Sequence, residues 1–133
     1  MACLMLFRNS RSMITPRRRL GDEGEALAVD FLQRKRYAIL ARNYRTRFGE
    51  LDIVATYQGR VVVIEVKTRR STLFGSPEEA INARKQVHLR RMAAWYMMKE
   101  KRKEKEYQID CIAVDFTKVP PELRHLENIV QAC

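Results

Sequence analysis

A hairpin that carries charged residues inside its strands is the feature of this sequence that most restricts the fold. Residues 48–70, FGELDIVATYQGRVVVIEVKTRR, contain two apolar runs on either side of Gln58-Gly59. A glycine at the second position of such a junction is typical of a tight β-turn, although Gln is a weaker first residue than Asn or Asp. The run VVVIEV is apolar on both faces, which is typical of a central strand. The sequence therefore predicts two antiparallel strands, 51–57 and 60–68.

The turn determines which residues of the two strands oppose each other. A two-residue or four-residue loop places Asp52 opposite Glu65 and Glu50 opposite Lys67, whereas a three-residue loop destroys this register. Side chains alternate along a strand, so all four charged groups are expected on one face. Directly opposed residues have Cβ atoms only about 4.5–5.5 Å apart. The register thus predicts a cluster of carboxylates and one ammonium group at the open end of the hairpin.

Two carboxylates this close repel each other, and the repulsion destabilises the fold unless it is compensated. They tolerate each other when they share a proton, pair with cations or bind a metal ion. Asp52 and Glu65 offer the oxygen ligands that Mg²⁺ prefers, and a bound Mg²⁺ polarises a phosphate and activates a coordinated water. The ammonium of Lys67 is placed to orient that water or to neutralise charge on the phosphate. The pattern is that of a phosphodiester-hydrolysis site.

A surface ladder of salt bridges is the alternative interpretation of the same residues. In that arrangement Glu50 pairs with Lys67, and the two other acids each pair with a nearby arginine. Charge at an exposed strand end is common, and geometry alone gives this alternative about equal weight. An acid inside a strand that is apolar on both faces, however, lies in a buried position and needs a partner there.

The remaining elements place this hairpin in a mixed α/β fold. A helix is predicted over 22–36, with Asp22 as N-cap and Glu25 as the acid of a capping box. A second helix begins at Ser76 or at Asn82, and its buried stripe consists of Ile81, His88, Met92, Trp95 and Tyr96. Other strands are predicted over 37–47 and 107–116, and the last dozen residues form either a short helix or an edge strand. The order α-β-β-β-α-β predicts helices flanking one small mixed sheet.

The charge of the chain points to a polyanionic partner. The chain has 133 residues, enough for one domain, and its 26 Lys and Arg against 16 Asp and Glu give a net charge of +10. Nucleic acid is the first candidate and an anionic membrane surface the second, and a basic surface kept for solubility is the alternative. No apolar run approaches the ~20 residues that a membrane span needs, so we expect no membrane insertion.

The cysteines and the N-terminal segment indicate the compartment and the domain limits. Cys3, Cys111 and Cys133 are odd in number and far apart, which favours a reducing cytoplasm over a disulfide framework. We expect residues 1–18 to be a disordered basic arm and residues 19–133 to be the single domain. Alternatively, the start is over-long and Met13 is the true initiator.

Individual residues have alternative interpretations that need no ligand. Glu25 satisfies a backbone N–H if it belongs to a capping box, and the residues alone favour that role over one at the sheet. Tyr44 lies among arginines on its strand, which suits either stacking on nucleic acid or an ordinary exposed basic strand. His88 is expected to be a partly buried, hydrogen-bonded histidine. The candidates for contacting nucleic acid are Arg42, Tyr44, Arg45, Arg47, Arg69, Arg70 and Lys85.

Asp52 and the run EVK at 65–67 resemble the D…(D/E)-x-K signature of the restriction-endonuclease-like nucleases. The chain resembles the YraN-like family of bacterial proteins more closely. That resemblance covers about residues 20–130. It rests on GEA at 24–26, ARNYR at 41–45, FGELD at 48–52, EVKTR at 65–69, FGSPEEA at 74–80, RKQ at 84–86 and HLEN at 125–128.

The resemblance implies a restriction-endonuclease-like α/β core, similar to that of archaeal Holliday-junction resolvases. It implies that Asp52 and Glu65 bind Mg²⁺ or Mn²⁺, that Lys67 is catalytic and that Glu25 is an acid contributed by the first helix. Further candidates for lining the site are Glu50, Lys85 and Gln86. Resolvase-like relatives act as dimers, so a homodimer is compatible with the resemblance.

The function expected from these observations is Mg²⁺-dependent hydrolysis of DNA, with branched or structured DNA as a candidate substrate. The competing hypothesis is a nucleic-acid-binding accessory protein that has the nuclease fold and little or no turnover. A third hypothesis is a protein-interaction module whose positive charge serves an acidic partner.

Overall fold

Among the residues that the structure describes, a five-stranded mixed sheet carries one helix on each face. The computed structural model describes residues 16–71 and 81–130. The elements are α1 (Pro16–Arg34), β1 (Ala38–Thr46), β2 (Gly49–Tyr57), β3 (Arg60–Arg69), α2 (Ala83–Lys99), β4 (Tyr107–Asp115) and β5 (Glu122–Leu126). The strands lie in the order β1-β2-β3-β4-β5. Only the β3–β4 pair is parallel, which confirms the predicted mixed α/β fold.

The central strand β3 carries an apolar core on both of its faces. Val61 and Val63 pack with residues of α2, whereas Val62 and Ile64 pack with residues of α1. All four side chains are at most 2% exposed. Period-two alternation produces this division, because each helix covers one face of the sheet. The prediction that VVVIEV forms a central strand is confirmed, since β3 lies between β2 and β4.

The register of the β2–β3 hairpin agrees with the predicted one over most of its length. Pairing runs from Tyr57–Arg60 to Ile53–Ile64. It does not continue to the expected opposed pairs Asp52–Glu65 and Glu50–Lys67, and that part of the prediction is wrong. Glu50 instead pairs with Arg45 of β1.

Helix α1 begins earlier than predicted, and helix α2 begins at the second of its two predicted starts. Helix α1 begins at Pro16, so Asp22 lies inside the helix and the predicted capping box is wrong. The helix extends this far because Pro is favoured in a first turn and Arg and Leu are good helix formers. Helix α2 has Asn82 as its N-cap, and Oδ1 of Asn82 accepts a hydrogen bond from the N–H of Lys85 over 2.9 Å. Ser76 and residues 1–15 lie outside the described residues.

A buried carboxylate attaches β5 and the following segment to β4. Asp110 is fully buried, and its Oδ2 lies 2.7 Å from Nε2 of His125 on β5. Its Oδ1 accepts hydrogen bonds from the N–H of Asn128 and from Nε2 of Gln108, each over 2.8 Å. The C-terminal segment therefore forms an edge strand, one of the two predicted alternatives. Neither α1 nor α2 is long and apolar enough to cross a membrane.

A candidate acid–lysine site at the end of the sheet

Asp52 is held in place by the backbone of the neighbouring strand. It follows the point on β2 where pairing with β3 ends, and its Oδ2 accepts a hydrogen bond from the N–H of Val66 over 2.9 Å. The carboxylate thus takes the place of a ladder partner for that N–H. This contact fixes the Asp52 side chain beside Glu65, the residue that precedes Val66.

Glu65 lies between two lysines. It is 5% exposed, and its Oε1 lies 3.4 Å from Nζ of Lys67 and 3.2 Å from Nζ of Lys85. Lys67 is two residues along the same strand and therefore on the same face. Lys85 reaches the acid from the first turn of α2. A buried carboxylate needs such partners, and here two cations share one oxygen.

Helix α1 contributes Glu25 because a glycine lets it approach the sheet closely. A Cβ at Gly24 would clash with Cγ2 of Thr68 on β3, so any side chain at this position would force α1 or Thr68 to move. Glu25 is half-buried next to this contact. The helix therefore brings its acid to the end of the sheet where Asp52 and Glu65 lie.

Asn43 connects two of the acids through its side-chain amide. With the amide nitrogen directed at the carboxylates, it donates to Oε2 of Glu25 and to Oε1 of Glu50, each over 3.0 Å. Asn43 has a φ of 51°, a left-handed conformation that Asn tolerates better than most residues. The left-handed residue is the one through which β1 contacts Glu25 of α1 and Glu50 of β2.

Burial and mutual repulsion make the charged form of the acids in the site unfavourable. Burial first, and then the negative charges of Glu65 and Glu25, raise the pKa of Asp52 to about 7. The hydrogen bond from Val66 and the positive charge of Lys85 oppose this rise. Burial also raises the pKa of Glu25, against the hydrogen bond from Asn43.

The carboxylate oxygens of Asp52 and Glu65 fit one hard divalent cation that keeps several water ligands. In the parts of the chain that the structure describes, no three His, Cys, Asp or Glu side chains are arranged to hold a metal ion among them. Mg²⁺ is usually bound through one or two carboxylates and keeps several waters, so Asp52 and Glu65 suffice as its protein ligands. A cation bound here would favour the charged form of Asp52 and so lower its raised pKa.

The structure brings together the predicted acidic and lysine residues. Asp52, Glu65, Lys67 and Glu25 lie at one end of the sheet, and Lys85 joins them through its contact with Glu65. Glu50 lies at the edge of this cluster through Asn43, and its charge contributes to the raised pKa of Glu25. Gln86 is half-buried in the first turn of α2, where its N–H bonds to the carbonyl oxygen of Asn82.

The predicted nucleic-acid contacts are distributed over several parts of the surface. Arg42 is exposed and close enough to Glu25 to lower its pKa, whereas Arg47 lies over the ring of Phe48. Arg69 donates to the carbonyl oxygen of Ser71 over 3.3 Å. Arg70 lines a separate cavity of about 200 Å³ next to α1.

Tyr44 has polar and aromatic partners within the fold, whereas His88 packs against the start of β2. The hydroxyl of Tyr44 donates to Oε1 of Glu100 over 2.6 Å, and its ring packs edge-on against Tyr96 with centroids 4.8 Å apart. These contacts account for Tyr44 without a ligand. His88 is half-buried, as expected, but its ring forms no hydrogen bond with another residue of 16–71 or 81–130. Its Nε2 would lie 3.1 Å from a Cβ at Gly49.

Sequence reasoning missed Asn43 and Asp110 as organising residues. Asn43 stands inside a predicted strand, where Asn is disfavoured, and that position was the available signal. Asp110 interrupts the apolar run of β4 in the same way that Glu65 interrupts β3. Its partners, His125 and Asn128, belong to a segment whose structure the sequence left open.

The fold and the site define the class: a small mixed α/β domain with a buried cluster of acids and lysines at one end of its sheet. The chain belongs to the uncharacterised protein family UPF0102, whose family model matches residues 24–114. This is the YraN-like family identified from the sequence.

Curated relatives support this membership over most of their length. A UPF0102 protein of Caldicellulosiruptor saccharolyticus is 46% identical over 98 residues, which cover 74% of this chain and 83% of the relative. One from Thermodesulfovibrio yellowstonii is 45% identical over 109 residues, 82% of this chain and 93% of the relative. A third, from Alkaliphilus oremlandii, is 41% identical over 113 residues, 84% of this chain and 97% of the relative.

Proposed function

We propose that this protein is a divalent-metal-dependent nuclease that hydrolyses phosphodiester bonds in DNA, with branched or structured DNA as a candidate substrate. One observation carries the proposal. Two carboxylates, Asp52 and Glu65, lie side by side in a largely buried position with Lys67 in contact with the second of them. The resemblance of these residues to the restriction-endonuclease-like signature supports the same chemistry.

Asp52 and Glu65 are the residues that would hold Mg²⁺ or Mn²⁺, which supplies Lewis acidity to the phosphate and lowers the pKa of a coordinated water. Lys67 presents its ammonium next to Glu65, where it neutralises the charge that develops on the phosphate oxygens. Glu25 completes the acidic cluster, and Asn43 orients its carboxylate through a hydrogen bond.

The basic surface supplies affinity for the substrate that does not depend on sequence. The net charge of +10 favours the binding of a polyanion, and phosphate contacts of this kind weaken steeply with salt. Exposed arginines at the rim of the site belong to this surface, among them Arg42 and Arg45. A homodimer and a cytoplasmic location remain predictions, and light scattering of the full chain checks the first.

A nucleic-acid-binding accessory protein with little or no turnover is the second candidate function. One observation favours it: Glu65 already has two cationic partners, Lys67 and Lys85. A protein of this kind would bind DNA through the same basic surface, and its site would have no need of a divalent cation.

Metal binding separates the two candidates. Calorimetric titration of the full chain with Mg²⁺ and Mn²⁺ is compared among wild type, Asp52→Asn, Glu65→Gln and the exposed control Asp30→Asn, whose partner is Arg34. The nuclease proposal expects binding by wild type and by the control, and loss in both site variants. Unchanged binding in Asp52→Asn and Glu65→Gln would exclude the metal-dependent mechanism and leave the accessory protein.

A further inference from the structure

We propose that one face of α2 is a phosphate-binding subsite that holds the nucleic-acid strand leading into the acid–lysine site. The face borders a cavity of about 730 Å³. Its lining residues are Asn82, Arg84, Lys85, Val87, His88 and Arg91. We call this surface the α2 cationic face. Except for Lys85, none of these residues was a candidate for contacting nucleic acid on the basis of the sequence.

The spacing of the cationic residues along α2 matches an extended ligand. Arg84, His88 and Arg91 recur at intervals of four and three residues, so they lie on one side of the helix. The two arginines are separated by about 10 Å along the helix axis, at 1.5 Å per residue. That distance corresponds to about three steps of a nucleic-acid strand at ~3.4 Å each. The face can therefore contact several phosphates of one strand.

The two arginines of this face, Arg84 and Arg91, lack acidic partners among the described residues. Arg84 and Arg91 are exposed, and neither forms an ion pair or hydrogen bond with another residue in 16–71 or 81–130. Val87, which is 51% exposed, lies between them in the sequence and adds an apolar surface. Arginines whose charge is not compensated attract a polyanion, and their planar donor groups suit phosphate oxygens.

The face is continuous with the candidate site through one residue. Lys85 lines the cavity, and its Nζ also lies 3.2 Å from Oε1 of Glu65. His88 borders the other side, packed against the backbone of Gly49 at the start of β2. A strand bound along α2 is thereby directed to the carboxylates of Asp52 and Glu65.

Nucleic acid is the polyanion that these observations favour over an acidic protein. A strand that passes Lys85 reaches a pair of carboxylates, where a phosphodiester can be cut, whereas an acidic peptide finds no reaction there. The choice of nucleic acid rests on the proposed function. The existence of an anion-binding face rests only on the geometry and charge of α2.

The test compares two double variants of equal charge. Arg84→Gln/Arg91→Gln removes two charges from the α2 cationic face. Lys103→Gln/Lys105→Gln removes two exposed lysines that precede Tyr107, which pairs with Val61 at the end of β3 remote from Glu65. Binding of a fluorescent DNA duplex and of a single strand of the same length is measured by anisotropy in EDTA, over a series of salt concentrations. Thermal melts confirm that each variant is folded, and Arg84→Lys/Arg91→Lys serves as a second variant that keeps the charge.

The inference predicts a specific loss in the first double variant. Each lost phosphate contact lowers the salt slope by about 0.9 and weakens binding roughly tenfold in 0.1 M salt, so the slope falls by about 2. The Lys103/Lys105 variant keeps the wild-type slope, and the lysine replacement retains most of the affinity. Equal slopes for the two glutamine variants would overturn the inference, as would competition by poly-glutamate as strong as that by unlabelled DNA.

A cleavage assay of the same variants and DNAs with added Mg²⁺ or Mn²⁺ separates this inference from the proposed function. Binding that depends on Arg84 and Arg91, without any cleavage when Mg²⁺ or Mn²⁺ is added, would overturn the nuclease and leave the α2 cationic face. Cleavage that is unchanged in Arg84→Gln/Arg91→Gln would exclude a phosphate-binding role for the α2 cationic face and would leave the nuclease proposal intact. Absence of all DNA binding at low salt would overturn both.

Discussion

The main-chain N–H of Val66 donates a hydrogen bond to Oδ2 of Asp52 over 2.9 Å, at the point where the β2–β3 ladder ends. In a regular hairpin a backbone carbonyl of β2 would take this N–H. Here a carboxylate takes it, and β2 is released to pair with β1 alone through Glu50. One hydrogen bond thus fixes the first acid of the site and sets its distance from the second, Glu65.

We expect the free energy of unfolding of the metal-free protein to fall as the pH rises from about 4 to about 7, because of Asp52. Its pKa is about 7 in the folded state, against 3.8 for the free side chain. The folded state therefore holds the proton more tightly, so this group stabilises the fold most below pH 4 and its contribution declines until pH 7. Asp52→Asn removes this decline, and the upper bound on the difference is about 4 kcal/mol at pH 8.

Urea unfolding in EDTA at several pH values measures this difference. Asp52→Asn should be more stable than wild type at pH 8 and nearly equal to it at pH 4. The exposed variant Asp30→Asn should follow wild type at both. Parallel curves for wild type and Asp52→Asn would show that Asp52 is ionised without cost, which contradicts its raised pKa.

Replacing Gly24 should destabilise the fold through a clash with Thr68, and a second substitution at Thr68 should relieve that clash. Gly24→Ala places a methyl group against Cγ2 of Thr68, so α1 must move away from β3 and carry Glu25 with it. We expect a loss of about 1–3 kcal/mol in the free energy of unfolding. Thr68→Ser removes the clashing methyl group and should restore most of that loss in the double variant.

Gly21→Ala is the matched control, because nothing lies within 4 Å of its added Cβ. It should stabilise α1 by about 0.5–1 kcal/mol, since alanine is the better helix former. Denaturant unfolding of the four variants completes the comparison. A double variant no more stable than Gly24→Ala would show that contact with Thr68 is not the constraint.

Asp110 should matter for stability and not for metal binding. Asp110→Asn leaves Nε2 of His125 facing an amide nitrogen or withdraws an acceptor from the N–H of Asn128. Because the residue is fully buried, we expect a loss of about 2–4 kcal/mol. Urea unfolding measures the loss, and calorimetry with Mg²⁺ below the unfolding transition should give the wild-type affinity. A changed metal affinity would place Asp110 in the site.

Lys85 should compete with a divalent cation for Glu65. Lys85→Met removes the ammonium 3.2 Å from Oε1, so metal binding no longer displaces it. A partly exposed pair of this kind contributes about 1 kcal/mol, which corresponds to a roughly fivefold tighter Mg²⁺ affinity by calorimetry. Lys99→Met, at the far end of α2 over Trp95, should leave the affinity unchanged. Weaker binding in Lys85→Met would assign this lysine to metal retention.

Local patterns were enough to predict strands β1 to β4 and most of the hairpin register. Alternation and the Gln58-Gly59 turn locate β2 and β3, and the two-sided apolar run identifies β3 as central. The register fails beyond Ile53–Ile64 because the Asp52 side chain replaces a backbone acceptor. Pairing rules consider only backbone partners and do not anticipate such a replacement.

The remaining parts of the site depend on contacts between distant segments. Lys85 and Glu25 reach Asp52 and Glu65 only because α1 and α2 pack on opposite faces of the sheet and extend to the same end of it. The role of Asn43 depends on its left-handed backbone and on the position of Glu25. A single sequence holds no direct signal of such distances, so the resemblance suggested Glu25, and Asn43 stood out only as an unfavourable residue within a strand.

Cleavage of a mixed panel of DNA structures tests directly whether the acid–lysine site hydrolyses phosphodiester bonds. Wild type and Lys67→Ala are incubated with duplex, single-stranded and branched DNA, with and without Mn²⁺. We predict cleavage by wild type only when Mn²⁺ is present, and a loss of at least about 100-fold in Lys67→Ala. Absence of cleavage by wild type on every substrate, or equal cleavage by Lys67→Ala, would contradict the account.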